Sequence, residues 1–170
     1  MQSIILIGPP GAGKTTIGKI LAKKLQFAFF DTDSLIEKSA GKPISQIFLD
    51  DGEAVFRELE TVVVIETLTS RTGILSLGGG AVMTASIAAE IEKVNEPVVF
   101  LSVGIGQAAP RVGFNKERPL LLINPRQQWL ALMEKRIPIY RKLSDLEIST
   151  DSKKPNEVAR EILISLESMR

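Results

Sequence analysis

This chain of 170 residues contains no cysteine and no histidine. Disulfides, thiolate nucleophiles, Cys/His zinc sites and an imidazole base are excluded together, so any proton transfer falls to a carboxylate. No apolar run is long enough to span a bilayer. The N-terminal MQSIILIG also lacks the charged region and small-residue cleavage site of a secretion signal, and a soluble cytoplasmic protein is expected. Net charge is close to zero, with Lys+Arg of 21 against Asp+Glu of 20. That balance argues against a broad nucleic-acid or membrane footprint, so any bound anion must be met by local groups. The 44% hydrophobic content fills one core, and a single domain over residues 1–170 is expected.

What is present is an alternation of short apolar runs with longer segments of helical spacing. Strands are predicted at 3–7, 27–30, 74–77, 98–103 and 146–149. Between the first two, Ile17, Ile20, Leu21 and Leu25 share one helical stripe. Near the end Val158, Ala159, Ile162, Leu163 and Leu166 do the same, and Pro155 suits a first helical turn. Short strands separated by helices predict an α/β fold, a five-stranded parallel sheet with helices on both faces. One stretch breaks the pattern. PRVGFNKERPLLLINP, residues 110–125, carries Pro110, Pro119 and Pro125 among Arg111, Lys116 and Arg118. A loop of that length in a compact domain suits an active-site lid, with a tolerated surface insertion as the alternative.

GPPGAGKT, residues 8–15, follows an apolar strand and opens a helical pattern. It matches the phosphate-cradling G-x-x-x-x-G-K-[ST] loop in the context that motif requires. Backbone N–H groups of Gly11, Ala12, Gly13, Lys14, Thr15 and Thr16 converge at the positive end of the following helix. Lys14 is then suited to β/γ-phosphate oxygens and the Thr15 hydroxyl to Mg²⁺. Two competing motifs are weaker. VGIGQAA, residues 103–109, fits G-x-G-x-x-A, but LLINPRQQ at 121–128 offers no ribose-binding acid. Asn115-Lys116-Glu117-Arg118 puts an arginine where a guanine-reading loop needs aspartate, so adenine is expected. After the second strand, Asp31 and Asp33 stand one residue apart. On a strand, positions i and i+2 share a face, so two like charges there need a cation or a function.

The donor loop leaves the acceptor open. Asp31-Thr32-Asp33, Gly52-Glu53 with Phe56-Arg57, Leu77-Gly78-Gly79-Gly80, Arg118-Pro119-Leu120-Leu121 and Arg136-x-Pro138-x-Tyr140 together resemble the shikimate kinase family, in order and over nearly the whole chain. The resemblance implies a three-layer P-loop NTPase-type fold, ATP and Mg²⁺ as cofactors, and phosphorylation of the 3-hydroxyl of shikimate on the way to chorismate and the aromatic amino acids. Shikimate and ATP would be its small-molecule partners and the chain a monomer, with a shikimate-binding helical segment near 32–60 and a lid near 110–125. Arg57 and Arg136 would hold the carboxylate and Asp33 the hydroxyls, as base or orienting group. The Gly79 N–H would reach the ring, and Phe48 and Phe56 would form an apolar wall. Asp31 would join Thr15 in the metal shell, Arg118 would cover the γ-phosphate, and Arg111 and Lys153 would lie beside the adenine. The VGFNKE wording of the lid departs from the family's commoner form.

Ordinary readings stand beside these. Arg57 lies four residues after Glu53 and suits a surface ion pair, Phe48 and Phe56 suit a core, and Asp31 suits a helix N-cap. The rival acceptors are gluconate, another hydroxylated carboxylate, and a nucleoside monophosphate, for which a single Trp and a single Tyr supply little stacking surface. A non-catalytic nucleotide-binding module is the third alternative, and the intact Lys14, Thr15, Asp33, Arg57, Arg118 and Arg136 argue against it.

Overall fold

The computed structural model describes residues 2–112 and 125–169, the side chains of 109–112 and 125 excepted. Five strands form one sheet: β1 (Ile4–Ile7), β2 (Phe29–Asp31), β3 (Ile74–Ser76), β4 (Val98–Ser102) and β5 (Leu146–Ser149). Their spatial order is β2-β3-β1-β4-β5 and every pairing is parallel. The helices are α1 (Lys14–Leu25), α2 (Thr32–Ala40), α3 (Ile44–Asp50), α4 (Gly52–Ser70), α5 (Ala85–Ile91), α6 (Ile105–Val112), α7 (Pro125–Leu143) and α8 (Pro155–Ser168).

The period-two pleat divides β1 between two cores. Ile4 and Leu6 pack with Ile17 and Leu21 of α1 and with Val158 and Ile162 of α8. Ile5 and Ile7 face the other way, onto Val64 of α4, Ile87 of α5 and Tyr140 of α7. With both faces covered, β1 has no polar alternation to show and reads as IILI, buried throughout. The predicted strands and both helical stripes are found with small shifts. The second strand runs to Asp31 and begins at Phe29, because the Phe27 N–H is taken by the Ala22 carbonyl at the end of α1. The ends of the predicted long loop are helical: Pro110 to Val112 complete α6 and Pro125 opens α7. Residues 113–124, and with them most of the predicted lid and Arg118, lie outside the described residues.

A third, smaller cluster lies off the sheet. Ile36 of α2, Ile47 of α3 and Phe56 and Val63 of α4 are buried together, with Phe48 and Leu59 packed against them. The three helices thus carry a core of their own, and they hang from the carboxyl end of β2. Local opening follows such a division. Ile47→Ala deletes a fully buried side chain and should cost about 2–5 kcal/mol locally. Amide exchange should accelerate in α2, α3 and the first turns of α4 while β1 and β4 keep their protection; equal acceleration in β1 would show that the cluster is not a separate cooperative unit.

Candidate active site

The site is assembled where β1, β2 and β3 end, the edge at which parallel sheets bind ligands. A cleft of ≈ 350 Å³ opens there, lined by Pro10, Gly11, Gly13, Lys14, Thr15 and Thr16 of the first loop. Asp31, Asp33, Ser76, Leu77, Gly78 and Gly79 line its other wall. Gly11 and Gly13 have φ of +81° and +88°, a region that L side chains avoid. That turn lets the loop wrap towards the N-terminus of α1 with its N–H groups inward. Ala12 is buried beneath it in the α1 core. Lys14 Nζ donates to the carbonyls of Gly8 at 2.7 Å and Pro9 at 3.0 Å, curling over the mouth of its own loop.

Asp31 and Asp33 do not lie along one strand. Asp31 closes β2 and caps α2, its Oδ1 accepting from the Asp33 N–H at 3.1 Å, while Asp33 sits in the first helical turn. The period-two expectation is corrected: the chain turns into a helix between the two acids, because an aspartate after a strand is a strong N-cap. The cap and metal readings of Asp31 are compatible, since its other oxygen accepts from the Thr15 hydroxyl at 2.6 Å. Two hard oxygen donors beside a phosphate loop are a donor set that could hold Mg²⁺, which takes few protein ligands and completes its shell with water and phosphate. Among the described residues no group of three or more His, Cys, Asp or Glu side chains is placed to hold a metal ion.

The acceptor side is organised around Gly78–Gly80. A Cβ built on Gly80 would meet Arg57 Nη1 at 2.8 Å, Arg57 Nη2 at 3.0 Å and Arg136 Nη2 at 3.3 Å. The two arginines, 79 residues apart in sequence and on different helices, therefore converge on one point. Arg136 is buried, unusual for a cation. A Cβ on Gly78 would meet Asp33 Oδ1 at 2.6 Å, and one on Gly79 would meet Pro10 Cδ at 2.6 Å. The third-strand loop is thereby packed directly against the phosphate loop. The rings of Phe48 and Phe56 meet at a tilt of 34° with centroids 4.7 Å apart, and Arg57 lies over the Phe56 ring at 5.1 Å. Phe56 is buried in the small helical cluster and Phe48 is half-buried beside it.

Glu60 is the group that sequence reasoning missed. It is 1% exposed and its Oε2 accepts from Arg57 Nη1 at 2.6 Å, whereas the expected Glu53 partner is at 3.4 Å and exposed. A signal was available: Phe56, Glu60, Val63, Val64 and Thr67 form the buried stripe of α4, so an acid stood at a core position of a helical pattern. Burial pushes the Glu60 carboxyl above the ordinary glutamate value, outweighing the opposing pull of the Arg57 hydrogen bond. Thr32, between the two aspartates, was also passed over; its hydroxyl accepts from the buried Gly78 N–H at 3.0 Å. Lys153 pairs with Glu161 of α8 at 2.6 Å. Arg111 lies on α6 with its side chain outside the described residues.

The strand, phosphate loop and helix on a 2-3-1-4-5 parallel sheet define a P-loop kinase-type protein. A family model described as shikimate kinase matches residues 10–167. A shikimate kinase from Saccharopolyspora erythraea is 45% identical over 94% of this chain and 90% of its own length. One from Thermobifida fusca is 48% identical over 91% and 89%. The solved shikimate kinase of Acinetobacter baumannii, a complex with shikimate, superposes with a TM-score of 0.94 at 37% identity, covering 100% of this chain and 95% of that one. The chain belongs to the shikimate kinase family, and its activity is the ATP-dependent phosphorylation of shikimate. That assignment sets aside gluconate and nucleoside monophosphates as acceptors.

Glu60 supplies a pH test. A carboxyl whose pKa is higher in the folded than in the unfolded chain binds more protons when folded, so stability falls as pH rises from the unfolded value through the folded one. Glu60→Gln removes that slope. Urea midpoints of wild type and variant should diverge across this window, the wild type losing ground as pH rises; parallel curves would mean that Glu60 titrates alike in both states.

Proposed function

We propose that the reaction transfers the γ-phosphoryl group of ATP to the 3-hydroxyl of shikimate, with the residues of the cleft and of the neighbouring Gly78–Gly80 surroundings in the following roles. Backbone N–H groups from Gly11 to Thr16 cradle the phosphates, and Lys14 exchanges its loop carbonyls for β/γ oxygens. Thr15 and Asp31 hold Mg²⁺, which when bound neutralises phosphate charge. Asp33 accepts from the ring hydroxyls and orients the one that attacks. Arg57 and Arg136 grip the carboxylate at the far end, with the Gly79 N–H beside them and Phe48 and Phe56 flanking the apolar ring face.

The observation that carries this reading is the convergence of Arg57 and Arg136 at Gly80 while Asp33 lies against the adjacent Gly78, in the phosphate cleft. A rigid acid bearing hydroxyls would be held by its carboxylate at one end and present a hydroxyl to the donor at the other. Phosphoryl transfer passes through a loose transition state, so positioning and charge neutralisation dominate over proton abstraction. Asp33 accordingly acts as an orienting group at least as much as a base. Segment 32–60 is the acceptor-binding unit of a single domain; the expected lid and Arg118 lie outside the described residues. Arg111 and Lys153 flank the adenine. The protein works as a monomer in the cytoplasm; among the described residues no helix is long and apolar enough to cross a membrane.

Steady-state kinetics test the roles. Loss of a charge-assisted carboxylate contact in Arg136→Ala should raise KM for shikimate roughly 10–100-fold with little change for ATP, and equal effects on both would remove the carboxylate role. Asp33→Asn should lower kcat by about 10² while nucleotide affinity, read by titration with ADP, holds. Activity retained in that variant would take Asp33 out of the mechanism.

A further inference from the structure

The loop that carries the proposed acceptor contacts has no side chains of its own to anchor it, yet three successive peptide planes are each held. The Gly78 N–H donates to the Thr32 hydroxyl at 3.0 Å. The Gly78 carbonyl accepts from the Ala81 N–H at 3.1 Å. The Gly79 carbonyl accepts from the hydroxyl of Tyr140. Because a peptide is planar with its C=O and N–H opposed, fixing a carbonyl also fixes the direction of the N–H that follows it. The second bond thus aims the Gly79 N–H, and the third aims the Gly80 N–H.

Tyr140 is well placed to act as a fixed post. It is fully buried and stacks on Phe100 of β4 with centroids 5.0 Å and planes 24° apart. It follows Arg136 by four residues on α7, so the two side chains leave the same helical face. One helix therefore delivers a guanidinium to Gly80 and a hydroxyl to the carbonyl of Gly79. A core packing role needs only the ring; a phenylalanine would stack on Phe100 equally well. The hydroxyl is the part that the core does not require.

We propose that Tyr140 is a positioning residue for the acceptor: its hydroxyl locks the Gly79–Gly80 peptide so that the loop N–H groups and the Arg136 guanidinium meet the carboxylate as one preset unit. The proposal rests on the reading that this loop and Arg136 bind the shikimate carboxylate. With the lock in place, the loop is ordered before the substrate arrives, and less binding energy is lost in fixing it. Without the hydroxyl the Gly79 carbonyl loses the bond that fixes this peptide, and the glycines on either side widen the range of conformations it can take.

Tyr140→Phe separates the hydroxyl from the ring. Its KM for shikimate should rise about fivefold or more, the scale of one buried hydrogen bond, while KM for ATP stays within about twofold. Titration with shikimate alone should show the same loss. Phe100→Leu loosens the ring stack and keeps the hydroxyl; it should lower the melting temperature without that selective rise in KM. If Tyr140→Phe leaves KM for shikimate unchanged, or moves both KM values equally, the positioning role is overturned. Arg136→Ala run in parallel distinguishes the two failures: a large shikimate effect there with none in Tyr140→Phe overturns only the Tyr140 role, whereas no effect in either overturns the carboxylate reading and the proposal with it.

Discussion

A methyl group added at Gly78, Gly79 or Gly80 would lie 2.6, 2.6 or 2.8 Å from Asp33 Oδ1, Pro10 Cδ or Arg57 Nη1 respectively. Those separations are shorter than any real Cβ contact, so the bare backbone of this loop is the constraint on which the site depends. It lets an acid from α2, a ring from the phosphate loop and cations from α4 and α7 approach one short segment at the end of β3. The sheet makes the approach possible. β3 lies between β2 and β1, so its trailing loop has the phosphate loop on one side and the aspartate-bearing turn on the other. Donor and acceptor halves of the cleft are neighbours because their strands are neighbours.

The parts legible in the sequence are those whose signal is local. GPPGAGKT identifies itself because the chain's own backbone makes the cradle, and IILI and VVFLS identify themselves because strands covered on both faces have no polar alternation. Arg136 was reached through the Arg136-x-Pro138-x-Tyr140 motif, and it is buried. The parts that were illegible depend on contacts made across the fold. Nothing near Thr32 reveals that its hydroxyl meets Gly78, 46 residues away. Nothing near Tyr140 reveals Gly79, 61 residues away. The aspartate pair was misjudged at the level of local conformation, since a strand-like spacing concealed a cap-and-helix turn. Arg57 was seen, but its partner was sought at the exposed i−4 position when a buried acid at i+3 held it more closely.

The small cluster of Ile36, Ile47, Phe56 and Val63 has a similar place in the argument. It is too small to belong to either sheet core, and it supports the ring beneath Arg57. Under the proposed assignment, an acceptor-binding unit with its own modest core is able to adjust to substrate without disturbing the sheet or the phosphate loop, which are held by the larger clusters. The functional division follows the packing division.

The two arginines at Gly80 stand in different settings. Arg57 is already occupied by Glu60, and an ionised pair of that kind is nearly neutral to a ligand. Burying Glu60 is costly, as its raised pKa records, but its 2.6 Å bond to Arg57 Nη1 restrains that guanidinium with both Nη atoms beside Gly80. Arg136, buried, brings a second guanidinium to the same point, its Nη2 at 3.3 Å from a Cβ built on Gly80. Under the proposed assignment the two guanidiniums favour an acidic end of the acceptor beside Gly80. Asp33 strengthens the preference, because a second negative group near the hydroxyl end of the acceptor would face a carboxylate. Under that assignment, selectivity for a neutral ring with one acidic end rests on Glu60, Arg57, Arg136 and Asp33 together, and the identity of any single one of them does not account for it.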